Sequence, residues 1–215
     1  MPRWTVTRER FLSVAEVRLL FDKVRQLEEI DKAAYKDYWV RCHMAISILF
    51  GTGCRVGELQ RLKHKDIWLD EKCLKLNGKG GKIRFVPISS SLQKHICEYT
   101  RFKQSVMLQP TNLDDYFLLS RLNRPFSVGG LEALYHAALK KAGLRKRSPH
   151  SARHSFGFSY YQKHKDLKGL QSLLGHQFCS TTGIYTAVEF GILAQRVENL
   201  YNSDSDAALA NAVNT

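Results

Sequence analysis

Nothing in the 215-residue chain approaches a run of about 18 apolar residues, so no segment reads as a transmembrane helix. The start, MPRWTVTRERF, carries charges without the apolar stretch of a secretory signal. Cysteine is sparse and odd in number: Cys42, Cys54, Cys73, Cys97 and Cys179 are scattered, with no C-x-x-C pair to suggest a zinc site or redox switch. Reduced, mostly buried thiols are expected. Internal repeats and low-complexity blocks are missing, which excludes a solenoid. Acidic side chains are also short. The 20 Asp plus Glu face 33 Lys plus Arg, a formal charge of +13, and they form no compact cluster of the kind that holds paired metal ions.

What remains is enough to fold. A chain that is 44% hydrophobic, 11% aromatic and 25% charged can build a core, and its length suits one sizeable core with room for a small satellite. The positive excess favours polyanions, so nucleic acid or an anionic membrane surface leads the partner classes. A soluble, intracellular protein is expected.

Periodicity divides the chain into mostly helical segments. Ser13 and Glu16 have capping-box spacing, and Val17, Leu20, Phe21 and Val24 give a helix over 14–26 one apolar face. A second helix is predicted over 38–50, ending at Gly51-Thr-Gly53, with a short one over 56–62. Strands are predicted at 66–69, 72–76 and 83–88, the latter two joined by a turn over 77–82 whose glycines supply positive φ. Helices follow over 90–106, 128–141, 151–163, 166–174, 180–185 and 188–200, with Ser148 as an N-cap and Pro149 as a first helical residue. The loop over 109–115 is a candidate divide between an earlier and a later lobe. From Asn202 the composition predicts a mobile or partner-docked tail. The fold class is mainly α with a small antiparallel β-sheet, an α+β domain.

Several residues can carry chemistry, although each has a plainer local reading. Arg55 follows the glycine turn, with Glu58 three residues on, and a helix start offers amides and a guanidinium to an anion. An ordinary surface ion pair explains that spacing equally well. Lys79, between Gly78 and Gly80, projects from a narrow turn as a phosphate contact or proton donor would, with Lys82 as its competitor; a solvated lysine is the bland alternative. His150 and Arg153 lie three apart at a helix start and can converge on one phosphate, or simply line a basic face. His154 points elsewhere and reads as core or supporting. His176 precedes Tyr185 by nine residues. A phenol can attack phosphorus and retain it covalently, yet most tyrosines only pack.

Taken in order, these segments resemble the tyrosine recombinase, or phage integrase, family. Gly51-Thr-Gly-Cys-Arg55-Val-Gly-Glu58-Leu is similar to its first arginine box, and Gly78-Lys79-Gly-Gly-Lys-Ile-Arg-Phe-Val-Pro87 to the strand-turn-strand that carries the catalytic lysine. Ser148-Pro-His150-Ser-Ala-Arg153-His-Ser-Phe resembles the histidine and second-arginine box. Leu173-Leu-Gly-His176 and Thr181-Thr-Gly-Ile-Tyr185-Thr resemble the last histidine and nucleophile boxes. The resemblance covers about residues 13–200 and implies site-specific DNA recombination through a 3′-phosphotyrosyl intermediate. Arg55 and Arg153 would clamp the scissile phosphate, His150 would assist proton transfer and Lys79 would protonate the leaving 5′ oxygen. His176 would support the nonbridging oxygen or the nucleophile, Tyr185 would attack, and Glu58 would fix the cationic pocket. No cofactor or metal is implied, because Arg, Lys and His supply the charge.

The same resemblance implies a catalytic domain over 1–200, a tail over 201–215, and absence of the family's usual N-terminal DNA-gripping domain. The chain would then be an isolated catalytic domain or a compact recombinase of the kind that inverts regulatory DNA switches. Double-stranded DNA is the implied partner, with a homotetramer on paired sites, a monomer allowed when free, accessory DNA-binding proteins as optional helpers, and no membrane. A cytoplasmic, DNA-bound location in a prokaryote, phage or mobile element fits. Arg61, Lys63, Lys65, Lys82, Arg84, Arg145, Lys146 and Arg147 are the expected DNA contacts. Two alternatives are a type IB topoisomerase-like relaxing activity, which would need no preferred sequence, and a noncatalytic DNA-binding regulator, which would form no covalent adduct.

Overall fold

The computed structural model describes residues 10–175, apart from the Lys79 side chain, so His176, Tyr185, the helices expected over 180–200 and the tail lie outside the described residues. The elements are α1 (Val14–Ala33), α2 (Tyr38–Thr52), α3 (Val56–Arg61), β1 (Ile67–Trp68), β2 (Cys73–Asn77), β3 (Ile83–Pro87), α4 (Ser90–Ser105), α5 (Val128–Lys141), α6 (His150–His164) and α7 (Leu167–Leu174). The strands form one antiparallel sheet in the order β1-β2-β3. This is the expected class, mainly helical with a small sheet. None of the described helices is long and apolar enough to cross a membrane.

Helix α2 is the spine. Twelve of its fifteen residues are buried, so it is enclosed on all sides, and α1, α4, α5 and α6 pack around it. Its far end delivers Gly53 in the left-handed region at φ 62°. A Cβ there would lie 2.6 Å from the Phe156 ring and 2.9 Å from a Leu174 methyl, so α6 and α7 close on the turn because the residue is glycine. The sheet joins this assembly through contacts of β2 with α3 and of β3 with α7.

Local signals produce the elements they predict where the partners are local. Ser13 Oγ accepts the Glu16 N–H, and Glu16 Oε2 accepts the Ser13 N–H at 2.8 Å, closing the capping box. The 77–82 turn is closed by the Gly78 N–H donating to Lys82 O at 2.7 Å, with Gly80 and Gly81 both at φ 72°.

Three expectations about the elements need correction. Helix α1 runs on to Ala33 because its late acids have partners: Glu28 is buried against His43, and Asp31 Oδ2 accepts the Trp39 N–H at 2.6 Å. Strand β1 is only two residues long, because Asp66 closes a 3₁₀ turn over His64–Asp66 by accepting the Lys63 N–H. Ser148 does not cap α6 with its side chain. Pro149 takes the cap position, and Ser148 contributes its carbonyl to the Ser151 N–H and hydroxyl.

The 109–115 loop divides nothing, since residues 10–175 lie in one compact unit. Lys103 of α4 is fully buried and donates to Tyr116 O, Phe117 O and His64 Nε2 at 2.9–3.0 Å, which ties α4 to the segment beyond the loop. Burial draws that ammonium down to about 8, and burial reinforced by Lys103 draws His64 down to about 4. Among the described cysteines, Cys42 and Cys54 are enclosed and Cys73 and Cys97 are half-buried, while Cys179 lies outside the described residues.

Gly53→Ala should destabilise the fold by about 2 kcal/mol or more, since it forces both a left-handed alanine and an overlap with Phe156. Urea unfolding measures this. A loss below about 0.5 kcal/mol, the range of an ordinary surface change, would show that the turn accommodates a side chain.

Candidate active site

The turn after α2 and the first residues of α3 form the floor of a cationic cluster. Arg55 occupies the N-cap of α3 in extended conformation, and its N–H donates to Glu58 Oε2 at 2.7 Å. Its guanidinium leans on Glu58 Oε1 at 3.3 Å while 42% of the side chain stays exposed. Glu58 is buried and also receives Arg84 of β3 through two parallel bonds, Nη1 to Oε1 at 2.5 Å and Nη2 to Oε2 at 2.8 Å. Burial by itself would raise the Glu58 carboxyl, but the Arg84 pair and the Arg55 amide outweigh it and hold the group below its ordinary 4.5.

Two arginines then fasten the end of α7 to this floor. Arg84 Nε donates to Leu173 O at 2.9 Å, and Arg153 Nη2 donates to Leu174 O at 2.6 Å. Arg153 Nη1 reaches back to Gly53 O at 2.8 Å. The last carbonyls of a helix have no partner within it and carry the negative end of its dipole, so guanidinium groups are suited to that position. Residues 53–58, 84, 153 and 173–174 are thus brought into direct contact.

The hairpin joins the same cluster. A Cβ on Gly78 would lie 3.5 Å from Glu58 Oε1, and Arg61 Nη2 donates to Asn77 O at 2.9 Å. Lys79 opens the 3₁₀ turn that follows Gly78. His150 is exposed on the first turn of α6, one turn before the 5%-exposed Arg153. His154, beside it, is half-buried. Burial, with His150 and Arg153 adding to it, pulls its imidazole down to about 4, so it is neutral at pH 7. Cys54, inside the turn, is pushed up to about 11 by burial and offers no thiolate near neutrality. Three guanidinium groups against one carboxylate leave two positive charges in excess, an arrangement suited to a phosphate.

The basic residues expected on DNA differ in their surroundings. Lys65, Lys82, Arg145 and Lys146 are exposed, and Arg61 is exposed while bonded to Asn77 O. Lys63 and Lys65 share Asp114, at 3.7 and 2.5 Å. Two of the expected contacts are largely engaged within the protein. Arg84 is only 12% exposed and is held by Glu58 and Leu173 O, and Arg147, 13% exposed, is held by Glu16 at 2.9 Å. The role of Arg84 within the cluster was missed from sequence. Alternation along β3 was the available signal, because Arg84 shares the face of buried Val86 and pairs in register with buried Leu76.

The chain matches the model of the phage integrase family over residues 17–191. Tyrosine recombinase XerC of Lactobacillus leichmannii is 34% identical over 154 residues, which is 71% of this chain and 52% of that protein. Tyrosine recombinase XerC of Staphylococcus saprophyticus subsp. saprophyticus is 32% identical over 179 residues, 83% of this chain and 57% of the relative. The chain spans about half the length of the curated relatives it matches. Among solved structures, XerA recombinase is similar with a TM-score of 0.70 at 28% identity, over 86% of this chain and 65% of that one. XerH site-specific recombinase, bound to palindromic difH substrate in a post-cleavage complex, has a TM-score of 0.74 at 25% identity, over 92% of this chain and 54% of that one.

Acidification should weaken the fold in two stages. His64 and His154 have folded values near 4 against 6.5, so the unfolded chain takes up protons first and stability falls between about pH 6.5 and 4. The Glu58 contribution is complete above 4.5 and is lost as pH drops through its depressed folded value. Glu58→Gln should cost about 3 kcal/mol at pH 7 by leaving the largely covered Arg84 without its counter-charge, and should flatten the acid limb of a stability-versus-pH curve. An unaltered acid limb in that variant would contradict the assignment.

Proposed function

Because this chain belongs to the phage integrase family, we propose that it cuts and rejoins DNA strands at specific sites through a covalent 3′-phosphotyrosyl intermediate. One observation carries the proposal: segments far apart in sequence, around Gly53–Glu58, Arg84, Arg153 and Leu174, meet in a single net-positive cluster next to the Lys79 turn. That clustering is what a phosphoryl-transfer site without its own metal requires, since fixed cations must face the charge that develops on phosphorus. The XerH relative solved on its difH substrate adds support for double-stranded DNA as the ligand.

In this reading the scissile phosphate sits over Arg55, the most exposed arginine of the cluster, with Arg153 adding charge from below. The Tyr185 oxygen attacks phosphorus, the P–O bond to the 5′ oxygen breaks, and Lys79 delivers the proton that the leaving oxygen needs. His150 and His176 hydrogen-bond the nonbridging oxygens or move the phenol proton. Glu58 touches no DNA and holds Arg55 at its working angle. The phosphotyrosyl ester conserves the bond energy, so the reverse attack by a 5′ hydroxyl reseals the strand without a nucleotide cofactor.

Lys82, Lys146, Arg145, Arg61, Lys63 and Lys65 follow the phosphate backbone, and a tetramer on paired sites exchanges strands between duplexes. Catalysis over residues 1–200, a tail over 201–215 and action on DNA in a prokaryotic cytoplasm complete the proposal.

A suicide DNA substrate selected for binding should trap a covalent adduct with the parent protein. Tyr185→Phe should form none while still binding, and Arg55→Ala should slow adduct formation by about 10²–10³-fold. Adduct formation by Tyr185→Phe at the parent rate would overturn the assignment of the nucleophile.

A further inference from the structure

A groove of about 870 Å³ runs between α1, α2, α4 and α6. None of Arg55, Arg84, His150 and Arg153 lines it. At its floor Glu28 of α1, His43 of α2 and His95 of α4 place one carboxylate oxygen and two imidazole nitrogens within 4.8 Å of one another. We infer that Glu28, His43 and His95 form a binding site for a divalent transition-metal ion of the Zn²⁺ class, which clamps the three helices together.

The donor set and its geometry both point to a cation. Two imidazoles and a carboxylate are ligands that suit Zn²⁺ and its neighbours, whereas Mg²⁺ and Ca²⁺ prefer oxygen alone. His95 Nε2 is buried and has no hydrogen-bond partner, lying 3.9 Å from Glu28 Oε1. A buried ring nitrogen without a partner is costly, and a metal ion between it and Glu28 removes that cost. The other ring nitrogen of His95 is already engaged, Nδ1 lying 3.1 Å from Ser47 Oγ, which aims Nε2 at the cluster as supporting hydrogen bonds do for metal-bound histidine.

His43 Nδ1 contacts Glu28 Oε2 directly. A tetrahedral ion with bonds of about 2.0–2.1 Å holds its ligand atoms roughly 3.3 Å apart, so His43 and Glu28 open slightly while donor atoms now up to 4.8 Å apart draw in by as much as about 1.5 Å. Lys32 contacts Glu28 Oε1 at 3.1 Å, but it also reaches Glu29 at 3.5 Å and can move there when a cation arrives. The groove supplies an entry path and room for water in the remaining coordination position.

Untagged protein, stripped with chelator and returned to metal-free buffer, should take up about one Zn²⁺ per chain by calorimetry. Its thermal midpoint should rise by about 5–10 °C at a hundredfold excess over Kd. His95→Ala should weaken uptake by at least about tenfold, and His136→Ala, remote from the cluster, should not. Absence of Zn²⁺ binding tighter than about 100 μM in the parent, or equal binding by His95→Ala, overturns the site. Should His95→Ala fail to fold, Co²⁺ added to the parent decides instead. Paramagnetic shifts confined to the His43 and His95 rings support the site, and shifts on other imidazoles refute it. A negative result leaves the recombinase reading untouched, because that reading uses none of these three residues.

Discussion

The carboxylate of Glu58 is the point on which the site depends. It is buried, yet it stays ionised because Arg84 meets it with two parallel hydrogen bonds and the Arg55 amide adds a third. Arg84 in turn donates its Nε–H to Leu173 O, so a single acid fixes the attitude of α3, the inner face of β3 and the end of α7. A guanidinium can serve three elements at once because its donors are planar and set in fixed directions; a lysine offers a single rotating point charge. Arg55, bonded at one edge, is thereby left with much of its side chain facing outward.

The glycine turn makes this possible geometrically. Gly53 lets α6 and α7 approach within contact of the chain, and that approach puts Gly53 O and Leu174 O where Arg153 can bridge them. Fold stability and site assembly are therefore the same event at this corner. The buried ties elsewhere, Lys103 across the 116–117 segment and Glu28 against His43, hold the helices around α2 without touching the cluster.

Much of this was legible from sequence where the determinant is local. The Ser13–Glu16 box, the glycine-rich hairpin and the amphipathic helices follow from neighbours within four residues. The ordered boxes also pointed to Arg55, Glu58 and Arg153 before any geometry was known. What could not be read was the destination of charges whose partners are distant. Glu28 and Asp31 looked like the polar end of a helix, but their partners lie 15 and 8 residues away. Arg84 and Arg147 read as DNA contacts from charge alone, and nothing local showed that each is also paired to an acid 26 or 131 residues back in the chain.

The most direct measurement is the rate of covalent adduct formation by Arg84→Lys at saturating DNA, together with the salt dependence of its binding. Lysine keeps the positive charge but loses the paired bonds to Glu58 and the reach to Leu173 O. If Arg84 is the internal brace described here, the rate falls by roughly tenfold or more while the slope of log K against log salt stays that of the parent. A variant that forms adduct at the parent rate, or a slope reduced by about one when Arg84 is replaced by an uncharged residue, would place Arg84 on DNA instead and remove Glu58 from the centre of the site.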